Sequence, residues 1–177
     1  MAGNPGKLGR FEQTVLPHLD AAYSLARWLT RNEHDAEDVV QEAVLRAFRF
    51  FESFHGGEPR QWLLKIVRNT FYTWYDKNRK HAHTETLGDE AMDIPGNEMT
   101  PEEVLIKEHG AQVLKDAIGT LPLEFREILL LREFEAYSYK EIADIVEVPI
   151  GTVMSRLYRA RQHLKDRLGG KVDGGRA

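Results

Sequence analysis

Apolar residues recur along this chain at intervals of three and four positions, which is the spacing of one face of an α-helix. The first such segment covers residues 8–26, the second follows a cap at Asp35 and covers 39–48, and the third covers 62–71. Pro59 suits the first turn of that third helix. No segment alternates apolar and polar residues as a β-strand does. We therefore predict three helices in the first part of the chain.

A second helical group begins at Thr100. Thr100 can cap a helix, Pro101 fits its first position, and Glu103 stands three residues after the cap, where a capping box places its carboxylate. Apolar residues at helical spacing then predict two helices divided near Pro122. Two further helical segments follow between residues 138 and 168. We therefore predict four helices in this second part.

The segment between the two groups is acidic and poor in large apolar residues, and it contains Gly88, Pro95 and Gly96. Such a composition is typical of a flexible linker. The sequence therefore predicts an all-α protein of two small helical domains joined by a flexible acidic linker. The predicted boundaries are 8–81 for the first domain, 82–100 for the linker and 101–168 for the second domain.

The composition narrows the classes of function. The chain has 177 residues, of which 42% are hydrophobic, and it has no cysteine. Disulfides, cysteine-based zinc sites and thiol catalysis are therefore excluded. No apolar run approaches the roughly 20 residues of a membrane span, and the N-terminus lacks a basic-then-apolar signal. We expect a soluble cytoplasmic protein with no membrane insertion.

Catalytic and metal-binding motifs are not recognisable in the sequence. It contains no glycine-rich phosphate loop, no nucleophile with a base at motif spacing and no paired carboxylates in a catalytic context. His81 and His83, with Glu85 and Asp89 nearby, carry metal-binding groups, but the predicted flexibility of their segment favours ordinary surface residues. We expect no enzyme activity, no cofactor and no metal site.

The distribution of charge favours a polyanionic partner, although the formal net charge is −4. Local patches, not the total charge, determine where a polyanion binds. The third predicted helix is strongly basic, and only Asp76 opposes its positive residues. Those residues are Arg60, Lys65, Arg68, Lys77, Arg79 and Lys80. Between residues 84 and 108 the sign reverses, and Lys107 is the only basic residue there.

Residues 138–157 predict two short helices joined by a tight turn, the arrangement of a helix-turn-helix. In that motif the first helix holds the second against the DNA major groove. On the outer face of the second helix, hydroxyl groups can bond phosphates or bases, and an arginine can make two hydrogen bonds to a guanine. The outer-face residues are Thr152, Met154, Ser155, Tyr158 and Arg159. The alternative interpretation is a solvated amphipathic hairpin with ordinary surface arginines.

Two separate motifs carry a family resemblance. Residues 140–164, with Glu-Ile-Ala, Val-Pro-x-Gly-Thr-Val, Ser-Arg-Leu and Arg-Ala-Arg, are similar to region 4 of the extracytoplasmic-function sigma factors of bacterial RNA polymerase. Residues 35–43 resemble the first signature of region 2 of that family, and residues 62–70 resemble its second. The resemblance covers about residues 10–80 and 105–168, and its motifs stand in the family's order.

The resemblance implies a three-helix sigma region 2, a four-helix sigma region 4 with the helix-turn-helix, and the function of a sigma factor. Such a protein binds core RNA polymerase and directs promoter-specific initiation of transcription, while catalysis belongs to the polymerase. Region 4 would recognise the −35 element, and region 2 would melt and capture the −10 element. The implied partners are the clamp coiled coil of the polymerase's largest subunit, promoter DNA and an anti-sigma factor.

The resemblance also assigns residues to these contacts. The expected contacts with core polymerase, on the side of the second helix opposite its apolar stripe, are Asp38, Gln41, Glu42 and Arg46. The expected −35 contacts are Thr152, Met154, Ser155, Arg156, Tyr158 and Arg159. The expected −10 contacts are Phe54, Arg60, Lys65, Arg68, Asn69, Lys77, Arg79 and Lys80. Phe54 and Asn69 match positions that line a pocket for an extruded base, where stacking and amide hydrogen bonds are suitable chemistry.

Some of these residues have other roles open to them. Phe54 could be a core plug between helices, and Trp62 is interpreted as a core residue. Asp35 and Glu37 stand in the first turn of a helix, where carboxylates favour the helix dipole whatever else they contact.

Two positions depart from the family pattern. Glu147 stands where a helix-turn-helix usually has glycine, so the turn has to form without the residue that most easily adopts a positive φ. Met154 occupies a site often filled by a basic residue, which removes one potential phosphate or base contact. We expect these departures to change −35 preference or affinity and to leave the general role intact.

Three other functions fit the sequence less well. A sigma-mimicking adaptor that titrates an anti-sigma factor would be expected to lose the basic third helix or to carry a receiver domain, whereas this chain keeps the helix and lacks room for the domain. A repressor or activator that uses only the helix-turn-helix leaves the first-domain motifs unexplained. A histidine-dependent nuclease is the least supported of the three.

Overall fold

A computed structural model of the chain describes residues 5–79 and 101–173. Every element within these residues is helical. The helices of the first group are α1 (Pro5–Val15), α2 (Leu19–Thr30), α3 (Glu33–Phe50) and α4 (Pro59–Asn78). The helices of the second group are α5 (Pro101–Gly119), α6 (Leu123–Glu133), α7 (Tyr139–Val146) and α8 (Ile150–Asp173). The all-α prediction is confirmed.

The chain forms two compact units. Helices α1 to α4 belong to the first unit, and α5, α6 and α8 belong to the second. The boundaries at 8–81 and 101–168 stay a prediction, and the predicted linker at 82–100 lies outside the described residues. None of the helices in the described ranges is long and apolar enough to span a membrane.

The first predicted helix is divided in two. Helix α1 ends at Val15, a short 3-10 helix covers Leu16–His18, and α2 begins at Leu19. Pro17 has no backbone N–H, and its ring clashes with the preceding turn, so it favours a break in the helix at this point. Leu16 is 50% exposed as a result, although the sequence pattern places it on the apolar face. The division gives the first unit four α-helices where three were predicted.

The core of the first unit is centred on α4. Helices α2, α3 and α4 each pack against the other two, and α1 packs against α4. The predicted apolar stripe of α4 is buried, with Leu63, Leu64 and Val67 at 0% exposure and Phe71 at 1%. The buried residues of α3 are Ala36, Val39, Ala43 and Ala47, mostly small side chains that permit close helix packing. The opposite face of α3 is therefore left to solvent, and that of α4 is half-buried.

Side-chain caps fix where α3 and α4 begin. The Oδ1 atom of Asn32 accepts a hydrogen bond from the Asp35 N–H at 3.0 Å, so Asn32 caps α3 and the predicted cap Asp35 lies in its first turn. The Oε2 atom of Glu58 accepts a hydrogen bond from the Gln61 N–H at 3.1 Å, and Pro59 follows in the first turn of α4. A cap of this kind stabilises a helix by about 1 kcal/mol.

In the second unit, α8 packs against both α5 and α6. Ile128 and Leu131 of α6 and Val153 and Ala160 of α8 are fully buried. These residues recur at helical spacing, which is the pattern that predicted the two helices. The buried side of α8 is therefore fixed, and so is the side that faces outward.

A buried arginine holds the turn between α5 and α6. Arg126 is 8% exposed. Its Nη2 atom donates hydrogen bonds to the carbonyl oxygens of Gly119 and Leu121, each at 2.9 Å. Carbonyl groups at the end of a helix lack intrahelical partners, and charge-assisted hydrogen bonds are among the strongest that can satisfy them. The start of α6 is thereby tied to the end of α5.

Ala136, in the connection between α6 and α7, provides a test of backbone strain. It is exposed and adopts φ +59°. An alanine in this left-handed conformation loses about 1–2 kcal/mol, while glycine loses about 0.4–1 kcal/mol through the greater freedom of the unfolded chain. We predict that Ala136→Gly raises the free energy of unfolding by about 0.5–1 kcal/mol, measured by denaturant unfolding followed by circular dichroism.

The matched control is Ala111→Gly, the same change in the interior of α5. Glycine in a helix interior should lower the free energy of unfolding by about 1 kcal/mol. A loss of stability in both variants would contradict the account of Ala136.

Candidate functional site

A capping box begins α7, the first helix of the predicted helix-turn-helix. The Glu141 N–H donates a hydrogen bond to Ser138 Oγ at 3.2 Å, and the Ser138 N–H donates one to Glu141 Oε2 at 2.7 Å. This reciprocal pair satisfies two backbone donors that the start of a helix leaves without partners. The first residue of α7 is therefore fixed by the sequence Ser-x-x-Glu.

The turn between α7 and α8 contains a left-handed residue. Glu147 adopts φ +57°, the conformation for which glycine is usual at this point of the motif. The backbone N–H groups of Thr152 and Val153 then donate to the Pro149 carbonyl oxygen at 3.0 and 3.2 Å and start α8. The turn thus forms with glutamate in a conformation that costs a residue with a Cβ atom about 1–2 kcal/mol.

The apolar residues that the sequence places at the contact of the two helices are buried. Ile142, Ile145 and Val153 are each 0% exposed, and Leu157 is 2% exposed. Because α8 turns by about 100° per residue, burial of Val153 and Leu157 determines which other side chains face outward.

The outer face of α8 carries an apolar row. Ile150, Met154 and Tyr158 follow one another at intervals of four residues, and their side chains are 44%, 52% and 66% exposed. Ile150 was not among the predicted contacts. Ile150 stands four residues before Met154, and this helical spacing indicates that the two residues lie on the same side of α8. We call these three residues the apolar row.

A polar row runs beside the apolar row. Thr152, Ser155 and Arg159 recur at intervals of three and four residues, with Thr152 half-buried and the other two exposed. The Ser155 hydroxyl donates to the Thr152 carbonyl oxygen at 3.1 Å. Arg159 has no ion-pair partner among the described residues, so its guanidinium is available to an anion. We call these three residues the polar row.

Two other arginines of α8 are directed at α6. Arg156 is half-buried, and its Nη2 lies 3.8 Å from Glu124 Oε2. The Nη2 atom of Arg161 donates to Glu133 Oε1 at 2.7 Å, and this hydrogen bond raises the pKa of the Arg161 guanidinium. Arg156 is therefore partly engaged by a carboxylate of α6, whereas Arg159 has no such partner among the described residues.

On α4, helical spacing brings part of the predicted basic set to one side. Lys65, Arg68 and Asn69 share this side, and all three are half-buried. The Arg68 guanidinium lies 4.3 Å from the centre of the Tyr72 ring, and its Nη1 lies 3.4 Å from Asn69 Oδ1. Tyr72 was not predicted, although its position four residues after Arg68 indicates this contact. We call Lys65, Arg68, Asn69 and Tyr72 the α4 face.

The remaining basic residues of the predicted set are more dispersed. Arg60 and Lys77 lie on other sides of α4, because they are five residues before and twelve residues after Lys65. Lys77 and Arg79 are exposed near the end of α4. Lys80 lies outside the described residues.

The loop before α4 carries a partly exposed aromatic cluster. The Phe54 ring centre lies 5.0 Å from that of Trp62 and 6.5 Å from that of Phe51, with Phe51 buried and the other two half-buried. Trp62, interpreted from the sequence as a core residue, packs against Phe51 and Phe54 but is only half-buried. Gly56 and Gly57 follow with φ +93° and +94°, and a Cβ atom at either position would meet nothing within 4 Å. The loop leaves open space beside its aromatic rings.

The solvent side of α3 carries the four residues predicted to bind a protein. Asp38, Gln41 and Glu42 are exposed, and the Arg46 Nε donates to Glu42 Oε1 at 3.1 Å. Leu45 lies among them and is 55% exposed. Leu45 was not among the predicted contacts. Its position four residues after Gln41, outside the apolar stripe, indicates that it lies on the same exposed side of the helix. We call these five residues the α3 face.

Metal binding finds no support in the parts of the chain that the structure describes. No group of three or more histidine, aspartate or glutamate side chains there is arranged to hold a metal ion. His81 and His83 lie outside those parts.

Two family models match the chain. Residues 14–81 match the model of sigma-70 region 2, and residues 111–164 match the model of sigma-70 region 4. An ECF RNA polymerase sigma factor, SigE, of Mycolicibacterium smegmatis is 34% identical over 166 residues, which are 94% of this chain and 64% of that protein. An ECF RNA polymerase sigma-E factor of Haemophilus influenzae is 33% identical over 157 residues, with 81% of this chain and 79% of that protein covered.

A solved structure is also similar. The sigma factor RpoE of Bartonella quintana, determined in complex with the anti-sigma factor NepR, is 29% identical in sequence. The similarity covers 90% of this chain and 97% of that one, with a TM-score of 0.73.

The capping box of α7 can be tested by its effect on stability. Ser138→Ala removes the Oγ acceptor, and we predict that it lowers the free energy of unfolding by about 1 kcal/mol. Ser138→Asp is the matched control, since aspartate is an equally good cap and should retain most of the stability. Denaturant unfolding of the full chain measures both. Equal losses in the two variants, or no loss in Ser138→Ala, would contradict the assignment.

Proposed function

The chain belongs to the ECF RNA polymerase sigma factors, and on this premise we propose that it binds core RNA polymerase and directs promoter-specific initiation of transcription. In this proposal the second unit recognises the −35 element, and the first unit melts and captures the −10 element. The proposal rests on one observation above all: region 2 and region 4 matches stand in one chain, in order, each on helices with an exposed polar face. A regulator that used only the helix-turn-helix would not need the first match.

For the −35 element, we propose that α8 enters the major groove. Its N-terminal half carries the polar row, in which Thr152 and Ser155 suit phosphate or base contacts and Arg159 suits a guanine. Met154 and Tyr158 reach the bases from the neighbouring row. Arg156 is half-buried and its guanidinium is partly engaged by Glu124, so we rank it below Arg159.

For the −10 element, we propose that single-stranded DNA lies along the α4 face and the loop before it. Extruding a base from the duplex costs a few kcal/mol and requires a compensating pocket. Phe54 offers a partly exposed ring for stacking, and the Asn69 amide offers hydrogen bonds to a base edge. Arg60, Lys77, Arg79 and Lys80 would hold phosphates around this site.

For core polymerase, we propose that the α3 face docks on the clamp coiled coil of the largest subunit. Leu45 supplies an apolar centre, and Asp38, Gln41, Glu42 and Arg46 supply a polar rim. An apolar anchor surrounded by polar residues is the usual anatomy of a protein interface.

Control and location follow from the same proposal. An anti-sigma factor would hold the protein inactive, as suggested by the similarity to a sigma factor determined in complex with one. The protein would have no catalytic activity of its own and would act in the cytoplasm, where core polymerase and promoter DNA are found. The domain boundaries at 8–81, 82–100 and 101–168 belong to this proposal.

The −35 proposal predicts a difference between two arginines of α8. Arg159→Ala should lower the affinity of the polymerase complex for −35 duplex DNA by about fivefold to 150-fold, since an arginine–guanine pair contributes about 1–3 kcal/mol. Arg156→Ala should lower it by about threefold or less, because Glu124 already engages that side chain. Fluorescence anisotropy with labelled duplex measures both affinities. Neither change should affect binding to core polymerase, and equal effects of both on DNA would contradict the ranking.

The α3-face proposal predicts that Leu45→Ala lowers affinity for core polymerase by about tenfold, the effect expected of a central apolar anchor. Leu16→Ala is the matched control, because Leu16 is a leucine of similar exposure, 50% against 55%, outside the α3 face. Biolayer interferometry with immobilised core polymerase measures both. Unchanged binding in Leu45→Ala, or an equal loss in Leu16→Ala, would contradict the proposed centre of the interface.

A further inference from the structure

Two residues of the apolar row, Ile150 and Met154, have no hydrogen-bond donor with which to bind a phosphate. Ile150, Met154 and Tyr158 are 44%, 52% and 66% exposed. The side of α8 that packs in the core is formed by other residues, Val153, Leu157 and Ala160. Met154 is central in this row and stands five residues into the helix, counting Ile150 as the first. The N-terminal residues of the second helix of a helix-turn-helix are the ones that reach base edges.

The chemistry of Met154 selects among those base edges. A methionine side chain has no hydrogen-bond donor and only a weak acceptor, so it cannot read the donor and acceptor pattern of guanine, cytosine or adenine. The 5-methyl group of thymine is the one apolar group that a base presents in the major groove. An unbranched thioether side chain can adapt its shape to pack against that methyl group.

The neighbouring polar row favours DNA over a protein as the occupant. Arg159 is exposed and has no ion-pair partner among the described residues, and Thr152 and Ser155 add hydroxyl groups beside it. A positive and hydroxyl-bearing strip that runs alongside an apolar strip complements a groove with phosphates at its rim and thymine methyl groups on its floor.

We propose that Met154 is a specificity-determining residue that reads a thymine in the upstream promoter element through contact with its 5-methyl group. The inference rests on the proposed function, in which α8 occupies the major groove. A basic residue is common at this position and would contact a phosphate or a guanine. With methionine there instead, the preferred contact becomes a thymine.

The test uses the full chain assembled with core polymerase. A duplex library with a randomised upstream block is first selected for binding. The selected duplex is then remade with deoxyuridine in place of thymine, one position at a time, so that only a 5-methyl group is removed. At one or two positions we expect affinity to fall about fourfold, which is the effect of leaving one methyl group unburied.

Two variants then connect that position to Met154. Met154→Ala should bind the thymine and deoxyuridine duplexes equally at that position, whereas Met154→Leu, which keeps an apolar side chain of similar size, should still prefer thymine. Both variants should keep the unfolding midpoint of the parent chain, because the replaced side chain is half exposed to solvent.

Several outcomes would overturn the inference. They are a selected element without thymine, equal binding of thymine and deoxyuridine duplexes by the parent chain, and a deoxyuridine effect that persists in Met154→Ala. Weaker binding of an anti-sigma protein by Met154→Ala, with no deoxyuridine effect in the parent chain, would assign the row to a protein partner instead. Failure of the complex to select any upstream element would overturn the proposed function itself, and the inference with it.

Discussion

The burial of one apolar stripe on each helix is the constraint on which the proposed contact surfaces depend. Val153, Leu157 and Ala160 face the core of the second unit, and Leu63 and Val67 face the core of the first. Each fully buried large apolar side chain contributes about 1.5–3 kcal/mol, whereas an exposed ion pair contributes about 1 kcal/mol or less. Packing therefore decides the rotation of a helix about its axis, and the exposed residues can vary without disturbing it.

Charge acts on the surfaces that this packing leaves outside. The chain as a whole is acidic, with a net charge of −4, yet Lys65 and Arg68 lie together on one side of α4. Internal pairing further selects among the arginines of α8. Glu124 and Glu133 engage Arg156 and Arg161, so that Arg159 is left to bind an anion. In this account, pairing with α6 therefore determines which arginine of α8 is available to DNA.

Periodicity in the sequence was sufficient to predict the all-α fold, the helix-turn-helix and the buried stripe of α4. These features depend on local spacing, which one chain displays by itself. The break at Pro17 was missed because the apolar spacing continues through the proline, and backbone chemistry prevails over pattern there. The pairing of Arg156 with Glu124 and the half-buried Trp62 were missed because they depend on which helices come together. Exposed Leu45 was missed because the periodic pattern predicts which apolar residues are buried and does not identify an isolated apolar residue on the solvent side.

The central claim is that this chain turns core polymerase into a promoter-specific enzyme. The most direct measurement is transcription in a reconstituted system that contains core RNA polymerase, the full chain and a library of promoter fragments, with sequencing of the transcripts. The account predicts initiation at a limited set of start sites that share an upstream and a downstream element, and none without the chain. No initiation, together with no complex between the chain and core polymerase, would contradict it.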